Sequence, residues 1–175
     1  MLILRTYLMK YLIPIFLFLL IPLSGCTEQP TPEKSNPFEG LWKLQIMEQK
    51  NPETGLWQEW RDGMQGYILY DATHTMALHL TMKGYENTDL RFPNFIDTIP
   101  EEALKHLTKS YVYLAKYTVN EEEGYVEHAR ISHSNPGDWN KVVRRKYTFK
   151  GDTLILQPYE SENANLKLTW VRSTQ

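Results

Sequence analysis

With a single cysteine, Cys26, among 175 residues, the chain cannot form an intramolecular disulfide, and its stability must come from packing. A basic excess is also missing. The formal charge is −2, which leaves no electrostatic footprint for nucleic acid. Beyond residue 23 no long apolar run recurs, so the pattern predicts no membrane-spanning helix after the first segment. No Gly-x-Ser-x-Gly elbow, phosphate-binding loop or dinucleotide fingerprint occurs. The histidines are His74, His79, His106, His128 and His133, and none joins a carboxylate in a ligand cluster at helical spacing. No metal and no cofactor is therefore expected. Ser132 and Ser134 flank His133, but adjacency along the chain does not make a nucleophile, which needs a base oriented by a third group.

What is present begins at the N-terminus. Arg5 and Lys10 precede an almost wholly apolar run from Tyr11 to Leu23, and the small residues Ser24 and Gly25 lead to Cys26. An apolar run of this length, with basic flanks and a small-residue exit, reads as an export signal over 1–25 and is too short for a stop-transfer helix. Removing it takes away Arg5 and Lys10 and no acidic residue, moving the formal charge from −2 to −4. Leu23-Ser24-Gly25-Cys26 also resembles the lipobox of bacterial lipoproteins, in which the cysteine is diacylated and becomes the new N-terminus. The resemblance implies a protein attached to a membrane by acyl chains on Cys26, working in the cell envelope outside the cytoplasm. Thr27, where some lipoproteins carry an Asp that retains them at the inner membrane, favours the outer membrane in a Gram-negative cell. Residues 26–37 are polar, contain three prolines and lack an apolar period, as an extended tether should. Residues 38–175 then suffice for one domain with its own core.

From Phe38 onward the chain reads as strands over 39–48, 64–71, 74–82, 111–119, 124–132, 141–149, 153–158 and 165–172. Met76, Leu78, Leu80 and Met82 alternate with Thr75, Ala77, His79 and Thr81. Tyr113, Ala115, Tyr117 and Val119 share a face, as do Leu166, Leu168 and Trp170. Turn residues separate the runs, for example Asn51-Pro52-Glu53-Thr54-Gly55 and Lys150-Gly151-Asp152. Short connections favour an antiparallel meander, and eight such strands can close without an exposed edge. The expected fold is all-β, an eight-stranded antiparallel up-and-down β-barrel with one short inserted helix. That helix is predicted over Asp97 to Ser110, with Thr98 and Glu101 as a capping box, Pro100 in the first turn, and Leu104, Leu107 and Tyr111 at helical spacing. It would cover a barrel mouth or pack on the outer wall.

Gly40-Leu41-Trp42 on the first strand, with Trp170-Val171-Arg172 closing the last, resembles the lipocalins. The order of segments is closer still to the bacterial lipocalin-like domain family. The matching pieces include Phe38 to Leu44, Gly66 to Tyr70, Tyr113 to Val119, Val126 to Ser132, Arg144-Arg145 and Gly151 to Leu156. The likeness spans nearly all of 38–175, although the 83–97 segment has no clear period. Members often carry paired histidines near Val126, whereas here Glu127 precedes a single His128. The resemblance implies that Trp42 crosses the closed end of the barrel with Arg172 on its face and Gly40 beside it, a structural closure worth about 0.5–2 kcal/mol as a cation–π contact.

The candidate ligand contacts are Tyr70, Tyr113, Tyr117 and Arg145. Tyrosines on presumed inner faces give broad apolar area with one hydroxyl each, which suits an amphipathic molecule, and they serve equally well as core. Of Tyr67 and Tyr70, on opposite faces, one should point inward. Arg145 shares a face with Val143, Tyr147 and Phe149, so it needs an internal partner, Glu127 being one, or a ligand anion. The function expected is a membrane-anchored envelope lipoprotein that binds a small hydrophobic or amphipathic ligand, with no nucleic-acid partner and no catalysis. Two alternatives stay open: a structural or protein-binding lipoprotein whose barrel is filled by its own side chains, and an isomerase or hydrolase using Glu127 with His128 or Arg145. Against the latter, successive strand residues face opposite sides, which separates Glu127 from His128.

Overall fold

The computed structural model describes residues 36–91, 98–160 and 164–173. The export segment 1–25, Cys26 and nearly all of the tether lie outside the described residues, as does part of the 83–97 segment. Nine strands are found among the described residues: β1 (Gly40–Lys50), β2 (Trp57–Glu59), β3 (Met64–Tyr70), β4 (Thr75–Met82), β5 (Ser110–Asn120), β6 (Tyr125–His133), β7 (Val142–Lys150), β8 (Thr153–Pro158) and β9 (Leu166–Arg172). Each strand from β3 to β9 pairs with the next, all antiparallel, and β9 returns to β1. The first half of β1 pairs with β3 and its last residues with β2, so eight strands close the barrel and β2 is a short extra ribbon. The eight expected strands thus appear within two residues of their predicted ends. β2 was absent from the sequence reading because three residues are too few to show a period.

Alternation places the core. In β4, Met76, Leu78 and Leu80 are buried while His79 is exposed. In β7 every second residue from Val143 to Phe149 turns partly inward. The turn after β1 is locked by Asn51, whose Oδ1 accepts the Glu53 and Thr54 amides at 2.9 and 3.1 Å. Two bulges interrupt the alternation. Pairing of β1 with β9 shifts between Leu44 and Ile46, and pairing of β5 with β6 shifts between Leu114 and Ala115. In β6 the extra residue is Ile131, because Ala115 faces Arg130 and Leu114 faces Ser132. An extra residue reverses which parity points inward. Arg130 and, three positions on, His133 are consequently both buried.

The helix α1 (Glu101–Leu107) is shorter than expected, and the capping box does not form. Pro100 is the N-cap and its carbonyl accepts the Leu104 amide at 2.9 Å, which places Thr98 two residues too early to cap the first turn. Tyr111 belongs to β5 and not to the helix. Ala103 is buried, and His106 stacks on Tyr85 with centroids 4.5 Å apart, its Nε2 lying 2.7 Å from the Tyr85 carbonyl. His106 is therefore a packing residue, half-buried against Tyr85.

Candidate functional site

One end of the barrel is shut. Trp42 is fully buried, donates from Nε1 to the Phe38 carbonyl at 2.7 Å, and lies under the Arg172 guanidinium, 4.1 Å from its ring centre. Arg172 also donates to the carbonyls of Glu39 at 2.6 Å and Pro37 at 2.9 Å, tying the last strand to the residues before the first. Gly40 has φ +122°, and a Cβ there would stand 2.8 Å from Arg172 Nη1, so the guanidinium needs a glycine beside it. Above this layer Phe38 meets the rings of Tyr70, Tyr147 and Phe149 at 5.0 to 5.2 Å.

The middle of the barrel carries a buried polar chain. His128, 1% exposed, projects inward from β6 between two tyrosines. Its Nε2 lies 3.0 Å from Tyr70 Oη and its Nδ1 2.9 Å from Tyr113 Oη. Neutral imidazole has one donor and one acceptor nitrogen, so one tyrosine donates to the ring and the other accepts from it. Burial, reinforced by the Arg145 and Arg130 charges, pulls the His128 pKa down to about 3. Burial pushes Tyr113 up to about 12, against the opposing pull of Arg145, and raises Tyr70 well above its ordinary value. All three groups are neutral near pH 7.

Toward the other end the barrel opens into a cavity of about 1460 Å³. Its apolar wall comes from Ile68, Leu78, Leu80, Leu156, Leu168 and Trp170, and Tyr111, Tyr113, His128, Arg130 and Arg145 add polar groups. Leu104 and Leu107 of α1 stand at the opening, so the helix sits at the mouth and not on the outer wall. Arg130 donates from Nη2 to Tyr111 Oη at 2.8 Å, faces the Tyr113 ring at 5.1 Å, and has Asp138 3.4 Å from Nη1. His133 stacks nearly parallel on Tyr113, 5.8 Å between centres.

The four expected ligand contacts divide between two levels. Tyr113 and Arg145 border the cavity. Tyr117 lies in the base, donating to the Asp71 carbonyl at 2.9 Å and accepting from Asn36 Nδ2 at 2.8 Å. Tyr70 meets Tyr117 and Phe38 edge-on in the same layer, reaching upward only through His128, while Tyr67 is the exposed member of the pair. The expected Arg145–Glu127 pair does not form. Glu127 is on the outer face and pairs with Arg144 at 3.0 Å, whereas Arg145 finds Glu160 at 3.3 Å. Tyr125, two residues before Glu127 and on the same face of β6, carries the Arg144 guanidinium at 5.0 Å. Sequence reasoning missed His128, Arg130 and Tyr111 as inner residues. Val126 alternating with His128 was the available signal for the first two.

A family model described as a lipocalin-like domain matches residues 39–173. A solved redesigned β-barrel aligns over 79% of this chain and 93% of its own, with 14% identity and a TM-score of 0.40. No curated protein matches.

Proposed function

The chain belongs to the lipocalin-like domain family, and on that premise we propose that it is a membrane-tethered binding protein of the bacterial cell envelope, holding a small hydrophobic or amphipathic molecule in its lumen. The cavity of about 1460 Å³ carries this reading, since ligand sites begin at about 300 Å³ and are mostly apolar with a few placed polar groups. With Trp42 and Arg172 closing the base, the ligand enters past α1. A barrel filled by its own side chains is the weaker reading for the same reason. Binding is favoured over turnover because Glu127 faces outward and both His128 nitrogens are already engaged.

The tether is argued from sequence. Leu23-Ser24-Gly25-Cys26 supports diacylation at Cys26, and residues 27–37 then hold the barrel away from the lipid. Thr27 supports the outer membrane of a Gram-negative cell. Native mass spectrometry of the full chain, extracted in non-ionic detergent, is expected to find a co-purifying small molecule and to record uptake of hexadecan-1-ol. Absence of both defeats the binding reading. Metabolic labelling with palmitate should mark the chain and not Cys26→Ser; equal labelling of the two defeats the tether.

A further inference from the structure

The outer wall of the barrel is not uniform. An antiparallel sheet with one buried face alternates apolar inside with polar outside. The wall of β7 keeps that rule, with Arg144, Lys146, Thr148 and Lys150 outward. β3, β5 and β6 break it. Tyr67, Leu69, Val112, Leu114 and Ile131 point outward and are 38–47% exposed. Strand pairing makes them one surface. Leu69 neighbours Ala77, which neighbours Leu114, and in the next row Tyr67 neighbours His79, which neighbours Val112. Leu114 also faces Ser132, the residue after Ile131. β5 is thus apolar on both faces over this stretch, and nothing among the described residues covers the outer one. A contiguous exposed apolar surface of this kind marks a place of contact.

Charge and chain length say what covers it. Lys43, the β1 partner of Tyr67, and Lys116, two residues beyond Leu114, are both exposed on this wall. No Asp or Glu lies on either row. Asp71, at the foot of the wall, accepts the Thr73 and Thr75 amides at 2.8 Å each, and Glu127 on β6 is matched by Arg144. Apolar area with two cations and a tyrosine is the composition of a face that lies in a membrane interface. The tether also enters here. Asn36 donates from Nδ2 to Tyr117 Oη at 2.8 Å, and Tyr117 Oη donates to the Asp71 carbonyl at 2.9 Å, at the end of the strand that carries Leu69. From Asn36 back to Cys26 the chain can span at most about 36 Å. Acyl chains on Cys26 therefore keep the foot of this wall close to a bilayer. Contact is then intramolecular, and a modest surface suffices.

We propose that this wall rests on the bilayer that holds the acyl chains, with Leu69, Val112, Leu114 and Ile131 among the lipids and Lys43 and Lys116 over anionic headgroups. The proposal rests on acylation at Cys26. The tether sets how far the barrel can stand from the lipid, and the wall decides where it comes to rest. The barrel axis then lies along the membrane plane, and the mouth beside α1 opens at the level of the headgroups.

A pyrene maleimide label on Leu114→Cys tests this, because acylated Cys26 offers no thiol. The acylated full chain is reconstituted in vesicles of phosphatidylethanolamine and phosphatidylglycerol that carry doxyl-labelled lipid. Quenching at position 114 should exceed that of Gln157→Cys, on β8 across the barrel from β4, by about twofold or more. Leu69→Glu with Ile131→Glu, both at exposed positions, should bring it down to the level of position 157 and leave hexadecan-1-ol uptake unchanged. Replacing phosphatidylglycerol by phosphatidylcholine should weaken it in the native wall but not when Lys43→Gln and Lys116→Gln are present. A headgroup dependence that persists in that variant overturns the contact with anionic lipid. Equal quenching at 114 and 157 overturns docking while the tether stands. Pyrene excimer emission at 114 without lipid quenching overturns it too, in favour of a second copy of the chain. A chain that leaves the vesicles, with Cys26 open to the label, overturns the tether and the docking with it.

Discussion

Trp42 and Arg172 are direct cross-strand partners between β1 and β9, and the Arg172 guanidinium also covers the Trp42 ring at 4.1 Å. The last strand is therefore joined to the first by backbone pairing and a cation–π contact, and to the residues just before it by two charge-assisted hydrogen bonds. Ring closure is the most non-local pairing in the molecule, and it is secured where the chain ends meet.

Removing that contact should loosen closure without emptying the lumen. Arg172→Leu is expected to lower stability by about 1–3 kcal/mol, from the lost cation–π contact and the two freed carbonyls. Gly40→Ala should do likewise, because φ +122° and Arg172 Nη1 at 2.8 Å both oppose a Cβ. Urea unfolding followed by tryptophan fluorescence measures both. A midpoint unchanged in either variant would sink the closure argument.

The buried His128 makes stability depend on pH. Its pKa is about 3 folded against 6.5 unfolded, so only the unfolded chain takes up a proton between these values. Stability is full above pH 6.5 and falls as pH drops toward 3, by on the order of 1 kcal/mol per pH unit in the steep part of that range. His133, also lowered, adds in the same direction. Melting temperatures at pH 7.5 and 5.0 should differ clearly in the native chain and less in His128→Gln.

Tyr70, His128 and Tyr113 should behave as one unit. Tyr113→Phe strands the His128 nitrogen it serves and should cost about 1–3 kcal/mol. The double variant with Tyr70→Phe should depart from additivity, since the ring's donor and acceptor roles are set jointly. Purely additive losses in denaturant titrations would mean that the two hydrogen bonds are independent.

Val143 turns into the cavity from β7 and is only partly buried, which leaves room for a larger side chain. Val143→Trp is expected to reduce hexadecan-1-ol uptake at least tenfold, roughly 1.4 kcal/mol, with little change in melting temperature. Undiminished uptake would place the binding surface elsewhere.

Glu127→Gln provides the opposite expectation. Its ion pair with Arg144 is on the outer face, so stability should change by no more than about 1 kcal/mol and ligand uptake not at all. A loss of binding in this variant would contradict the inward-facing set proposed for β6.

The sequence by itself determined the all-β class, the eight barrel strands to within two residues, and the inner face of β4, β5, β7 and β9. Period-two alternation is a local property, set by backbone geometry that every strand shares. The placing of Trp42 under Arg172 came from the resemblance to the lipocalins and not from alternation. Only the tertiary structure decided which of Tyr70, Tyr113 and Tyr117 reach the cavity, because depth along a barrel axis depends on strand stagger and not on parity. The bulge at Ile131 was equally out of reach. One extra residue, recognisable only from the pairing partner on β5, turned Arg130 and His133 to the same side.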